Sequence, residues 1–122
     1  EKQAQNEIEA LVSAAVGGDF SQRLSETGKQ GFFLQLAKDL NSLSAITGKG
    51  LEDVANVLNA IARGDLGHRV EAHYAGIFGQ LKDSTNTTVE YLHHVVEQEA
   101  ARLVSAAAHG DLGILIHYLL LL

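Results

Sequence analysis

The sequence predicts an all-α fold: parallel homodimeric four-helix coiled-coil bundles stacked in tandem. Three observations point there: a short phrase that returns at an even interval, helical spacing of apolar residues on either side of it, and linking stretches too long for a hairpin. The phrase reads Gly-Gly-Asp-Phe-Ser-Gln-Arg-Leu at 17–24, Arg-Gly-Asp-Leu-Gly-His-Arg-Val at 63–70 and His-Gly-Asp-Leu-Gly-Ile-Leu-Ile at 109–116. Its aspartates, Asp19, Asp65 and Asp111, are 46 residues apart both times. Leu-Val-Ser-Ala-Ala at 11–15 also returns unchanged at 103–107. Self-similarity at a fixed period marks repeated structural units.

Each copy opens with a helical pattern. Ile8, Leu11, Val12 and Ala15 fall at steps of three and four, as do Leu51, Val54, Leu58 and Ile61. The patterns stop at Gly18, Gly64 and Gly110. Glycine takes the left-handed conformation that closes a helix, and Arg63 or His109 just before it suits the negative end of the helix dipole. Connectors follow at 19–31 and 65–76. Within them Phe20 with Leu24, and Leu66 with Val70, share one spacing and read as paired anchors that pin the connector into a groove between helices. Leu112 and Ile116 keep that spacing in the third copy.

Helical spacing then resumes, through Phe33, Leu36, Leu40 and Leu43 in copy one and through Phe78, Leu81, Thr85, Thr88 and Leu92 in copy two. Asn41 and Asn86 hold matching places in these second helices. Neither Gly nor Pro occurs from Gln80 to His109, so the second helix of copy two should flow into the first helix of copy three. The joint between copies one and two, Thr-Gly-Lys-Gly at 47–50, should be weaker: soft, though it can still be helical. Each glycine there costs about 1 kcal/mol relative to alanine in a helix.

Connector length decides direction. An antiparallel helix pair needs only about 2–8 linking residues. About 12 residues at roughly 3.3 Å each reach about 40 Å, and a helix of about 16 residues is only about 24 Å long. The chain can therefore return and start the second helix parallel to the first. A unit of about 40 residues with two apolar stripes cannot bury them alone. With no cysteine and no metal motif, self-association as a homodimer is the remaining route. The predicted dimer core is Leu11, Phe33, Leu36, Leu40, Leu43, Val54, Leu58, Ile61, Phe78, Leu81 and Leu92. The predicted units are 1–47, 48–95 and 96–122, the last an incomplete third copy with an atypical apolar tail.

Composition narrows the function. A net charge of −6 argues against nucleic acid and anionic membrane as partners, because both want a basic surface. The absence of cysteine suits a reducing compartment, so a cytoplasmic location is expected, if need be within a membrane-anchored receptor. No signal peptide is visible at the start of the sequence. The apolar run Ile114–Leu122 falls well short of the roughly 20 residues that span a bilayer. No nucleophile, base and orienting group come together in the pattern, so a non-enzymatic chain with no cofactor and no small-molecule substrate is expected.

Other motifs reduce to structure. Arg63-Gly64-Asp65 spells an adhesion tripeptide, but Gly17 and His109 replace the arginine in the other copies, so the Gly-Asp is what repeats. Thr47-Gly48-Lys49-Gly50 lacks the earlier glycine and the following Ser or Thr of a phosphate loop. Asn86-Thr87-Thr88 is a formal glycosylation sequon set on a helix. His93 and His94 diverge by about 100° on a helix and cannot face one ion as an i, i+4 pair does.

A helix, Gly-Asp-Leu or Gly-Asp-Phe, a connector with an Arg followed by an aliphatic residue, and a second helix with Leu-x-x-x-x-Asn: this order resembles the HAMP domain. As a pair, the copies are similar to the tandem HAMP segment of bacterial methyl-accepting chemotaxis proteins. The sequence departs from that pattern where Gln30-Gly31-Phe32-Phe33 and Ala75-Gly76-Ile77-Phe78 replace the usual Asp-Glu opening of the second helix. Leu115 replaces the connector Arg in copy three. The resemblance implies a parallel homodimer that passes a conformational signal from an upstream sensor domain to a downstream kinase-control domain of the same chain. In this reading the bundle should hold two packings of similar energy, and an input at residue 1 biases which dominates. The competing reading is a passive coiled-coil spacer, which would need no broken connectors at a fixed period.

Overall fold

A computed structural model describes residues 2–122, which form four helices: α1 (Lys2–Val16), α2 (Gly31–Ala62), α3 (Gly76–His109) and α4 (Leu112–Leu121). The fold is all-α, with no strand among the described residues. The chain divides into two compact units, 1–56 and 57–122.

Three helix ends are built alike. Gly18, Gly64 and Gly110 take positive φ angles of 90°, 80° and 69°. Each glycine N–H donates to the carbonyl three residues back, on Ala15, Ile61 and Ala107. The aspartate after it donates its N–H to the carbonyl five residues back: Asp19 to Ala14 at 2.9 Å, Asp65 to Ala60 and Asp111 to Ala106 at 2.8 Å each. This is the Schellman arrangement, which satisfies the last carbonyls of a helix and turns the chain out of it. The repeated Gly-Asp is therefore a repeated helix stop.

In the first unit, the hydrogen bonds give the sense of each element. Connector one leaves α1 at Asp19, bonded to Ala14, and its far end is tied to the start of α1 by Lys29 and Glu7, 2.7 Å apart. It thus runs back along α1. Along α2 it meets Gly48 at Phe20 and Asn41 at Leu24 before α2 begins at Gly31, so it runs antiparallel to that helix too. Two helices each antiparallel to the same connector are parallel to each other. The core of the unit is Leu11, Leu24 and Ala37, flanked by Ile8 and Leu40. In the second unit, connector two likewise runs antiparallel to α3. Arg69 reaches Glu90, Val70 reaches Asn86, Glu71 reaches Lys82, and the Tyr74 ring lies 6.3 Å from that of Phe78.

The joint at 47–50 is helical throughout, within the single helix α2, which agrees with a soft joint that can still be helical. Gly48 makes room there: a Cβ on it would stand 2.9 Å from Phe20 Cβ. Its missing side chain lets the connector lie against the helix, and that packing offsets the poor helix propensity of glycine. In α3 the apolar stripe passes through Val89, which is fully buried, and Thr85, rather than through Thr88. Thr88 is exposed and donates its hydroxyl to the Ser84 carbonyl at 2.8 Å. A step of four from Thr85 replaces the expected step of three.

Copy three departs most. Leu112 and Ile116 are 68% and 54% exposed and anchor nothing, because the residues after Gly110 form helix α4 instead of an extended connector. Asp111 caps that helix, its carboxylate accepting from the Ile114 N–H. Leu115 stands in place of the connector Arg, and the mostly apolar residues after Gly113, rich in leucine, favour a helix. As expected, α3 runs unbroken from Gly76 to His109.

Candidate functional site: the clamped connectors

Each connector is held by one asparagine. Asn41 Oδ1 accepts from the Leu24 N–H at 2.7 Å, and its Nδ2 donates to the Leu24 carbonyl at 2.9 Å. Asn86 repeats this on Val70, at 2.8 and 2.9 Å. A side-chain amide is well suited to the task, since it offers one acceptor and one donor in a plane, the complement of a backbone residue. The clamped residues are the buried ones: Leu24 and Val70 are closed off, while Phe20 and Leu66 are half-buried. An extended connector has no helix or sheet ladder to satisfy its backbone, and the asparagine supplies the missing partners exactly where burial makes their loss costly. The Asn86 amide is thus engaged by Val70, inside the sequon.

The aspartates shape the turn into each connector. Asp19 accepts from the Ser21 N–H and hydroxyl, and Asp65 from the Gly67 N–H and from His68 Nε2 at 2.8 Å. The Ser21 hydroxyl foremost holds the Asp19 carboxyl below its ordinary pKa, and the Gly67 N–H does so for Asp65. A lowered folded-state pKa gives stability that is present above the ordinary carboxylate range and is lost as pH falls through it. Both groups are exposed, so solvent screens the effect.

The arginines are repeated as well. Arg23 donates to the carbonyls of Phe20 and Gln22, and Arg69 to those of Leu66 and His68. Arg69 alone adds a carboxylate, Glu90, at 2.9 Å. Lys29 bonds the Ser25 carbonyl in addition to Glu7.

The residues expected at a dimer seam fall into two groups. Leu11 is buried within its own unit, and Leu36, Leu40, Val54, Ile61, Phe78, Leu81 and Leu92 are half-buried. Phe33, Leu43 and Leu58 remain open, Leu43 at 62% and Leu58 at 51% exposure. Val57 and Ala60, one residue away from Leu58 and Ile61 on the helix, are the buried pair there. Sequence periodicity picked out an apolar stripe but not which of its edges the chain covers by itself.

Among the described residues no group of three or more His, Cys, Asp or Glu side chains is placed to hold a metal ion. His93 faces Glu97 at 3.6 Å, and both are exposed. Among the same residues no helix is long and apolar enough to cross a membrane.

The geometry comes down to helix stop, anchored connector and asparagine clamp, twice over. A family model for the HAMP domain matches residues 29–94, more than half of the chain. The chain belongs to the HAMP domain family. That match takes in α2, connector two and the part of α3 that carries Asn86. The HAMP chain is also similar to the methyl-accepting chemotaxis protein McpB of Pseudomonas aeruginosa PAO1, with 52% identity over 109 residues. The similarity covers 88% of this chain and 16% of that protein, so the chain spans a small part of the relative's length. No solved structure matches it significantly.

Proposed function

We propose that this HAMP chain is a non-enzymatic relay, passing conformational change from a sensor domain to a kinase-control domain of the same receptor in chemotaxis-type signalling. The repeated clamp carries the reading: Asn41 on Leu24 and Asn86 on Val70 tie each connector to its second helix through paired backbone bonds. A connector so held can move with that helix and report its position. The similarity to a methyl-accepting chemotaxis protein supports the choice of output.

The working form in this reading is a parallel homodimer. Leu43, Ile46, Leu51 and Leu58 are large apolar residues that one chain leaves exposed along α2, and a second copy would cover them in a four-helix seam. The units are HAMP-like at 1–47 and 48–95, with 96–122 opening a third. The sensor and the kinase-control domain are its partners in the parent chain, and the cysteine-free composition suits a cytoplasmic position.

The test places residues 1–112 between a chemoreceptor sensor and its kinase-control domain. Leu66→Ala and Val70→Ala each remove apolar anchoring, at about 1–4 kcal/mol where the group is buried. In a relay with two nearly balanced packings, a few kcal/mol is enough to invert the populations, so the output should lock on or off. In a passive spacer only the melting temperature would fall. Folded, dimeric variants that still respond normally to stimulus would favour the spacer.

A further inference from the structure

The two connectors are near copies, and one difference between them is chemical. The connector repeats at an interval of 46 residues, which sets Arg69 at the place of Arg23. The second helix repeats at 45, from Asn41 to Asn86, which sets Glu90 at the place of Ala45. Both arginines curl onto two carbonyls of their own connector. Only Arg69 then pairs with a carboxylate, its Nε donating to Glu90 Oε1 at 2.9 Å. Ala45 offers Arg23 no charge. Arg23 and Ala45 instead line one open cleft between connector one and α2, where Asp19 and Glu52 also stand without an ion pair to Arg23.

We propose that Arg69 and Glu90 form a charge latch that fastens connector two to α3, and that the first unit carries the same arginine unlatched. Arg69 is one residue from Val70, the residue that Asn86 holds, so latch and clamp act on the same stretch of backbone. Opening the latch frees the arginine, and the neighbouring Val70 amide loses part of its protection. In the first unit the Leu24 amide depends on Asn41 alone. The two connectors are therefore fastened differently: connector one has its ion pair, Lys29 with Glu7, five residues beyond the clamped Leu24, whereas in connector two the pair stands beside the clamp, so ionic strength acts directly on the Val70 amide. The difference concerns local mechanics and holds whether the chain relays a signal or not.

Residue-resolved amide exchange on the whole chain tests this with two reciprocal substitutions. Glu90→Ala gives unit two the residue of unit one, and Ala45→Glu does the reverse. Glu90 is well exposed, so its replacement leaves the fold intact. Exposed ion pairs are weak, so Glu90→Ala should speed exchange at Val70 by about threefold while Leu24 stays unchanged. Raised salt should reproduce that effect in the parent chain, since screening weakens the pair. Ala45→Glu should slow exchange at Leu24 and make it salt-sensitive. An unchanged Val70 amide in Glu90→Ala, an equal acceleration at Val70 and Leu24, or an unmoved Leu24 in Ala45→Glu would each overturn the latch.

Discussion

Asn41 and Asn86 each do with one side chain what a neighbouring strand would do for an extended segment. The planar amide pairs with both backbone groups of the buried anchor residue, so the connector can lie against its second helix without orphaned polar atoms. Asn86→Ala removes both bonds from a partly buried site and should cost about 1–3 kcal/mol in chemical denaturation. Asn86→Asp separates the two bonds. At neutral pH the carboxylate keeps an acceptor for the Val70 N–H but sets negative charge against the Val70 carbonyl, so the loss should at least equal that of alanine. As pH falls through the carboxylate range, protonation restores a donor, and the deficit against the parent protein should shrink. A deficit that does not change with pH would mean that the donor half of the clamp contributes nothing. Gly48 teaches a related lesson. Read as a weak helix residue, it is instead the place where Phe20 needs the space of a side chain.

At the scale of the element, α3 is the longest helix, 34 residues from Gly76 to His109. It carries Asn86 and Glu90 near one end and the third helix stop at the other. Rigidity between those points depends on there being no glycine or proline from Gln80 to His109. Val95→Gly introduces the freedom that the sequence avoids, at about 1 kcal/mol. Amide exchange over 90–100 should rise locally while the ends of the helix keep their parent rates. Rapid exchange across 90–100 in the parent protein would contradict an unbroken helix. The connectors are elements of another kind, held by side chains rather than by their own ladder, and their direction follows from that. Because the Asn41 clamp and the Lys29–Glu7 pair each join a connector residue to a helix residue, the bonds themselves give the parallel arrangement of α1 and α2.

At the scale of the whole molecule, one chain leaves a row of large apolar side chains uncovered along α2. Leu43 is the sharpest case. It belongs to the stripe of Phe33, Leu36 and Leu40, yet it stays mostly exposed, while Leu40 packs on the core of Leu11, Leu24 and Ala37. If a second copy covers that row in parallel register, the two Leu43 positions lie near the symmetry axis. Leu43→Cys should then form an intermolecular disulfide under mild oxidation, on a background with no native cysteine to compete. Sedimentation should give a dimer at micromolar concentration, and a monomer there would end the dimeric reading.

The sequence by itself determined the helices, their stops and the length of the links. These are local matters: apolar spacing, a left-handed position that only glycine takes cheaply, and the reach of about a dozen extended residues. The family was legible for the same reason, since Gly-Asp, the connector Arg and the second-helix Asn stand at fixed intervals. Tertiary structure alone decided which edge of each apolar stripe the chain covers. Periodicity counts steps along a helix, but Val57 and Ala60 are buried while Leu58 lies open because of what packs beside them. It also decided that Gly48 accommodates Phe20 and that Val89, not Thr88, continues the stripe of α3. It placed the residues after the third Gly-Asp in a helix, α4, instead of an extended connector. Above all it gave Asn41 and Asn86 their partners. An asparagine on a helix reads as a polar surface residue until a strip of backbone is laid against it, and the bonds that matter join residues 16 or 17 positions apart in the chain.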